Sequence, residues 1–154
     1  MTLVKIGLGS NVGNPAQNIS TAIDEIAKLG QVTARSALYL TKPWGVIDQA
    51  DFCNAAIELD TERNPHELLA ALKAIEQLMG RVKTITWGPR LIDLDILTYG
   101  NLELNEPALT VPHPHMNERA FVLVPLAEID PNYAVARDAL PAAAREEVKR
   151  LPGQ

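Results

Sequence analysis

Asp93 and Asp95 stand two residues apart in LIDLDIL, and just upstream the chain carries Arg81, Lys83 and Arg90 around Trp87-Gly88-Pro89. On a strand, side chains alternate faces, so the two carboxylates point one way while Ile92, Leu94 and Ile96 point the other. At about 3.3 Å of rise per residue their Cα atoms lie roughly 7 Å apart, close enough to ligate one hard cation or flank two. Beside a basic loop, such a pair suits a metal-bound polyphosphate. An exposed acidic strand face is the ordinary account of an isolated Asp-x-Asp. The apolar run of Leu91, Ile92, Leu94, Ile96 and Leu97 argues instead for a central, mostly buried strand, and buried carboxylates need partners.

The elements that must position this stretch follow from periodicity. Thr2 to Leu8 alternates and predicts a first strand that ends in Gly7-Leu8-Gly9-Ser10-Asn11, with a turn at Val12-Gly13-Asn14; the glycines of GLGSNVGN could cradle a phosphate, but no P-loop lysine follows, so a tight strand-to-helix turn is the better reading. Asn14-Pro15 is an N-cap with proline at the first helical position, and Ile19, Ile23 and Ile26 then repeat at helical spacing up to Gly30. Val32 to Leu40 predicts a weaker second strand, followed by a long loop from Thr41 to Asp51 in which Trp44 serves equally well as a ligand wall or as a core anchor. Phe52 to Leu59 predicts a third strand, with Cys53, Ala55, Ile57 and Leu59 on one face and Phe52, Asn54, Ala56 and Glu58 on the other. The second face combines an aromatic with an amide that donates and accepts, a pairing suited to a flat heterocycle.

Asn64-Pro65 repeats the capping signature, and Leu68, Leu72, Ile75 and Met79 form the stripe of a second helix ending at Gly80. On that helix Lys73 and Glu76 either look toward the basic loop or form a solvated pair. Beyond the Asp-bearing strand, Leu102 to Leu104 predicts a short strand, Asn105 to Pro114 is irregular, and residues from His115 onward read as helical. His113 and His115 make a suggestive doublet. The tail predicts one helix, Pro141 to Leu151, with a structural role.

Strand, helix, strand, strand, helix, strand is the ferredoxin-like βαββαβ pattern: an α+β fold whose antiparallel sheet carries both helices on one face, here with a C-terminal helical extension. One sheet face is then expected to stay free and to present Phe52, Asn54, Asp93 and Asp95. With 154 residues and 47% hydrophobic content, residues 1 to 154 are expected to form a single domain. A net charge of -5 argues against a nucleic-acid-binding surface. The absence of a signal-peptide layout and of a long apolar run predicts a cytoplasmic protein without a membrane partner. The single cysteine, Cys53, reads as a small buried thiol without chemistry.

Taken in order, GLGSNVGN, DFCNAAIEL, the Glu76 to Arg81 segment, WGPRLIDLDIL and VPHPHMNERAFVLVPLAEI resemble the 6-hydroxymethyl-7,8-dihydropterin pyrophosphokinase family of folate biosynthesis, over nearly the whole chain. The resemblance implies transfer of pyrophosphate from ATP to the hydroxymethyl group of a reduced pterin, with release of AMP. By position it puts two Mg²⁺ ions on Asp93 and Asp95, with Arg81 and Arg90 as further catalytic groups. It puts the pterin against Thr41, Trp44, Phe52, Asn54 and Phe121, and the ATP against Glu76, Arg81, Trp87, Arg90, Ile96, His113 and Arg119. It also implies small-molecule substrates as the only partners and a monomer. Lys83, Thr86 and Ala108 stand where the family often has arginines, and Pro114 stands where some members have tyrosine. A different Mg-dependent phosphoryl or nucleotidyl transferase, or a ferredoxin-like ligand-binding module without catalysis, remains open on the residues alone.

Overall fold

The structure, a computed structural model, describes residues 1–41, 51–80 and 91–152. Strand β1 (Thr2–Ser10) leads to α1 (Pro15–Ile26), then β2 (Gln31–Arg35), β3 (Tyr39–Thr41) and β4 (Phe52–Thr61), followed by α2 (Pro65–Gly80) and β5 (Asp93–Tyr99). The two asparagine caps form as their sequence predicts: Asn14 Oδ1 accepts the Gln17 N–H at 3.2 Å, and Asn64 Oδ1 accepts the Glu67 N–H at 2.8 Å. At the end of α1, Gly30 is required by a close approach, because a Cβ there would meet the Asp60 carbonyl oxygen at 2.3 Å.

The sheet runs β5-β1-β4-β3, with β2 also on β4, and these pairings are antiparallel. In chain order of the repeat this is fourth, first, third, second, the ferredoxin-like arrangement. The single predicted strand Val32 to Leu40 is divided in two. Ser36 makes the break: its N–H donates to the Ala56 carbonyl at 2.9 Å, while its own Oγ takes the Ala56 N–H at 2.9 Å in place of a ladder carbonyl.

Helices α1 and α2 cover one face. Ile19, Ile23 and Ile26 of α1 and Leu68, Leu72 and Ile75 of α2 pack onto Val4, Ile6, Leu8, Ile57, Leu59, Leu94 and Ile96 from the sheet. Cys53 joins this core, its thiol pushed up to about 11 by burial, which keeps it un-ionised at neutral pH.

Three expectations are corrected. The Asp-bearing strand β5 lies at an edge of the sheet rather than at its centre. Its apolar run reflects one face packed on helices and, at Leu97, the other face packed as well. Second, the opposite sheet face is only half free. Helix α3 (Ala120–Ile129) lies across it, where Leu126 meets Ala56, Leu97 and Met116. Third, the tail is not one helix: α4 (Ala134–Ala139) and α5 (Ala142–Glu146) are followed by a strand, Lys149–Arg150. Before them, β6 (Leu104–Asn105) and β7 (Thr110–Val111) form a separate two-stranded ribbon, which makes the tail strand β8. β8 pairs with β3 and closes the far edge of the sheet with two charged residues.

The sequence of α3, AFVLVPLAEI, is apolar apart from the exposed Glu128, as suits a helix packed on two sides. One side meets the sheet; the other meets α4 and α5, with Val124, Leu140, Ala144 and Val148 gathered around Ala37 and Tyr39. Beyond the C-terminal end of α3, Lys5 bridges Glu58 at 2.9 Å and Asp130 at 3.3 Å. Lys5 is nearly buried, and losing it would leave Glu58 on the sheet and Asp130 at the end of α3 without the cation they share. None of the helices among the described residues is long and apolar enough to cross a membrane.

Leu126 has no exposed surface and links α3 to the sheet. Leu126→Ala is expected to lower the unfolding free energy by about 2–5 kcal/mol with an unchanged denaturant slope. A change below about 1 kcal/mol in equilibrium urea unfolding would show that α3 is not part of the cooperative core.

Candidate active site

Along β1 the side chains on the second sheet face come from Lys5, Gly7 and Gly9, and the two glycines leave a floor without side chains. Gly9 lies opposite Asn54 on one neighbour and Asp93 on the other, while Asn54 in turn lies opposite Tyr39. Asp93, Gly9, Asn54 and Tyr39 thus form one row across four strands. A Cβ on Gly9 would meet Asn54 Oδ1 at 3.0 Å, so glycine here keeps both the floor and the amide in place. As the sequence predicts, Gly7 to Ser10 end the first strand and the turn toward α1 begins after them. Asn18 ties that turn down, donating to Ser10 Oγ at 3.1 Å and to the Val12 carbonyl at 2.7 Å.

Above this floor opens a cavity of about 440 Å³. Its wall brings together Thr41, Phe52, Asn54, Asp93, Asp95, Arg119 and Phe121, all singled out from the sequence. Gly7, Leu8, Gly9, Ala55, Leu97 and Val122 complete it. Of these the two glycines carried a readable signal, since they alternate on the face of the carboxylates. Asn54 is buried and its Nδ2 donates to Thr41 Oγ1 at 3.4 Å, leaving its carbonyl oxygen toward Gly9. The Arg119 guanidinium carbon sits 5.9 Å from the Phe121 ring centroid, a cation–π arrangement at the rim.

Three of the named residues lie outside the cavity wall. Glu76 reaches the outer edge of β5 from α2, where its Oε2 accepts the Leu94 N–H at 2.8 Å, between the two aspartates in sequence. Burial raises its carboxyl above the usual carboxylate range; the Leu94 N–H and Lys73 oppose the rise, and the charges of Asp93 and Asp95 add to it. The Lys73 ammonium stands 4.0 Å from Glu76, mostly in solvent, so the pair is a weak one. The Ile96 side chain is buried among the helices, on the face away from the carboxylates. By alternation with Leu94, whose N–H points outward, Ile96 can offer a ligand only its main chain at the edge of β5.

His113 is fixed by its N–H, which donates to the Leu97 carbonyl at 2.8 Å. Its Nδ1 accepts the His115 N–H at 3.3 Å, so in the neutral ring the proton sits on Nε2, a donor. Burial depresses this imidazole below its usual range, while the charge of Asp95 holds it up. Trp44, Arg81, Lys83, Thr86, Trp87 and Arg90 lie outside the described residues.

The two aspartates fit a hard cation of a particular kind. Among the described residues no third carboxylate, histidine or cysteine joins them in a cluster able to hold a metal by itself. Mg²⁺ is commonly held by one or two carboxylates and completes its shell with waters and substrate phosphates. The donor set therefore suits magnesium carried in with a polyphosphate.

The fold is a ferredoxin-like α+β domain with an acid pair at the rim of an aromatic-walled cavity. The chain belongs to the family described as 7,8-dihydro-6-hydroxymethylpterin-pyrophosphokinase (HPPK), whose model matches residues 5–131. It is 45% identical to the 2-amino-4-hydroxy-6-hydroxymethyldihydropteridine pyrophosphokinase of Methylorubrum extorquens, over 98% of this chain and 94% of that one. The Pseudomonas aeruginosa protein of the same name is 43% identical, over 97% of each chain. Among solved structures, the wild-type HPPK-DHPS of Plasmodium falciparum with pteroate matches with a TM-score of 0.71 over 89% of this chain. At 16% identity that likeness speaks for the fold alone, and this chain spans 42% of that larger one.

Because the Asp95 charge opposes the effect of burial on His113, Asp95→Asn is expected to lower the His113 pKa further. The shift is read from the imidazole Cε1–H resonance across a pH titration. An unchanged or higher value would mean that Asp95 does not face the ring.

Proposed function

We propose that the protein catalyses Mg-dependent transfer of pyrophosphate from ATP to the hydroxymethyl group of 6-hydroxymethyl-7,8-dihydropterin, in the cytoplasm, as a step of folate biosynthesis. The observation that carries this reading is the shared cavity wall: Phe52, Asn54 and Phe121 on one side, Asp93 and Asp95 on the other. A ring stacked between two phenylalanines needs both faces apolar and its edge hydrogen-bonded, and Asn54 with Thr41 can serve that edge. Trp44 is assigned to the wall of the same subsite. One catalytic domain acting as a monomer, with these two small molecules as its partners, suffices for the reaction.

Asp93 and Asp95 are the residues assigned to hold Mg²⁺, two ions in all. Bound there, the metal supplies charge neutralisation over the phosphate oxygens and a fixed orientation for them. The remaining work belongs to the chain. The pterin side holds the hydroxymethyl oxygen facing the β-phosphorus; the O–P bond to the substrate forms as the bond to the α-phosphate oxygen breaks, AMP leaves, and the hydroxyl proton is released. Transfers of this kind depend on positioning and on stabilising charge more than on covalent catalysis by the protein. Arg81 and Arg90 are assigned to the transferring phosphates, where each can donate bidentately. Trp87, Arg119, His113 through Nε2–H, Glu76 through its grip on β5, and the Ile96 main chain are assigned to the nucleotide side.

Incubation of the protein with ATP, Mg²⁺ and the reduced hydroxymethylpterin tests the whole reading. AMP and pterin diphosphate are the expected products; ADP would indicate a simple kinase, and no turnover a binding module. Asp95→Ala is expected to abolish turnover with an unchanged circular dichroism spectrum, and a near-normal rate would remove the metal assignment. Phe121→Ala is expected to raise the pterin KM at least about tenfold while sparing that for ATP. The reverse pattern would place Phe121 on the nucleotide side.

A further inference from the structure

Glu128 is the only polar residue in α3, and it stands seven positions after Phe121 on the same side of the helix, roughly 10 Å further along. Its carboxylate spans two groups on the neighbouring strand region. Oε2 accepts the Ala37 N–H at 2.9 Å, and Oε1 accepts the Tyr39 hydroxyl at 2.5 Å. Ala37 lies in the break between β2 and β3, where Ser36 has interrupted the ladder, so Glu128 acts as the missing strand partner. Tyr39 is nearly buried, and burial together with Glu128 pushes its phenol up to about 12, so it remains a donor at neutral pH.

One carboxylate therefore joins the two walls of the cavity. Tyr39 lies opposite Asn54, and Thr41, on the same short strand, lies opposite Phe52. Phe121 and Val122 come from the first turn of α3. That turn is weakly held from within, because Pro125 has no N–H to donate to the Phe121 carbonyl. An anchor two turns further on sets how the turn sits relative to β3. We propose that Glu128 is a positioning residue: through Ala37 and Tyr39 it fixes the spacing between Phe121 and the Phe52–Asn54 wall, and so the affinity for the flat ring. This inference rests on the proposed activity, and it assigns Glu128 no contact with substrate.

The test compares native protein, Glu128→Ala, Glu128→Gln and Tyr39→Phe. Binding of the reduced hydroxymethylpterin is measured in the presence of a non-hydrolysable ATP analogue with Mg²⁺, and binding of that analogue is measured separately. The alanine variant is expected to weaken pterin binding about tenfold or more while the analogue's Kd stays within about twofold. Glutamine can accept the Ala37 N–H and donate to the Tyr39 oxygen, so it is expected to restore pterin binding to within about threefold. Tyr39→Phe, which removes one of the two bonds, falls between and serves also if the alanine variant does not fold. Equal losses for both ligands, or unchanged pterin binding despite a lowered melting temperature, would make Glu128 a purely structural contact and overturn the proposal. If native protein binds no pterin, the proposed activity itself fails, a result distinct from either.

Discussion

A strand has two sides, and the strict alternation between them governs this molecule. On β5, Leu94 and Ile96 must enter the helical core if the sheet is to be stable, which commits Asp93 and Asp95 to the other face. The same rule on β4 buries Cys53, Ala55, Ile57 and Leu59 and sends Phe52 and Asn54 to meet the aspartates. A slip of one residue on β5 would exchange the two carboxylates for Leu94 and Ile96, and one on β4 would exchange Phe52 and Asn54 for Cys53 and Ala55. The site is thus held by the burial of its neighbours, and the cost of misplacing it is the cost of opening the core.

The second constraint is that one sheet face is shared between two tasks. Its lower half is closed by α3, Met116 and the Lys5 charge pairs, and its upper half stays open above Gly7 and Gly9. The boundary is set by side-chain size along β1: glycine where the cavity lies, lysine where the C-terminal segment docks. Helix α3 belongs to both halves, since its first turn walls the cavity while Leu126 seals the sheet. A helix so placed couples the stability of the tail to the shape of the site.

The edges of the sheet receive the same economy of means. At β5 the outward N–H of Leu94 is taken by Glu76 and the outward carbonyl of Leu97 by His113, so the polar edge of the strand beside the acid pair is used to orient two more titratable groups. Both feel the aspartates: Asp93 and Asp95 raise the Glu76 carboxyl, and Asp95 supports the His113 imidazole against burial. At the opposite edge, Lys149 and Arg150 close β3 from the side remote from the cavity.

Much of this was legible in order along the chain. Period-two alternation in DFCNAAIEL and LIDLDIL assigned faces correctly, and Asn-Pro caps marked both helix starts, because these signals are local and depend on residues within one turn or one strand. The edge position of β5 was not legible, since a strand buried on one face and partly on the other has the same apolar run as a central one. Nor was the break at Ser36, where the hydroxyl, in place of a carbonyl of its own strand, accepts the N–H of Ala56 from another strand. The family, the acid pair and the aromatic-amide face are all written in motifs and alternation within single segments. That α3 covers half of that face, and that Glu128 joins it to β3, emerges only once the chain is folded. Both are contacts between residues about ninety positions apart, or between a helix and a sheet, and no local periodicity encodes them.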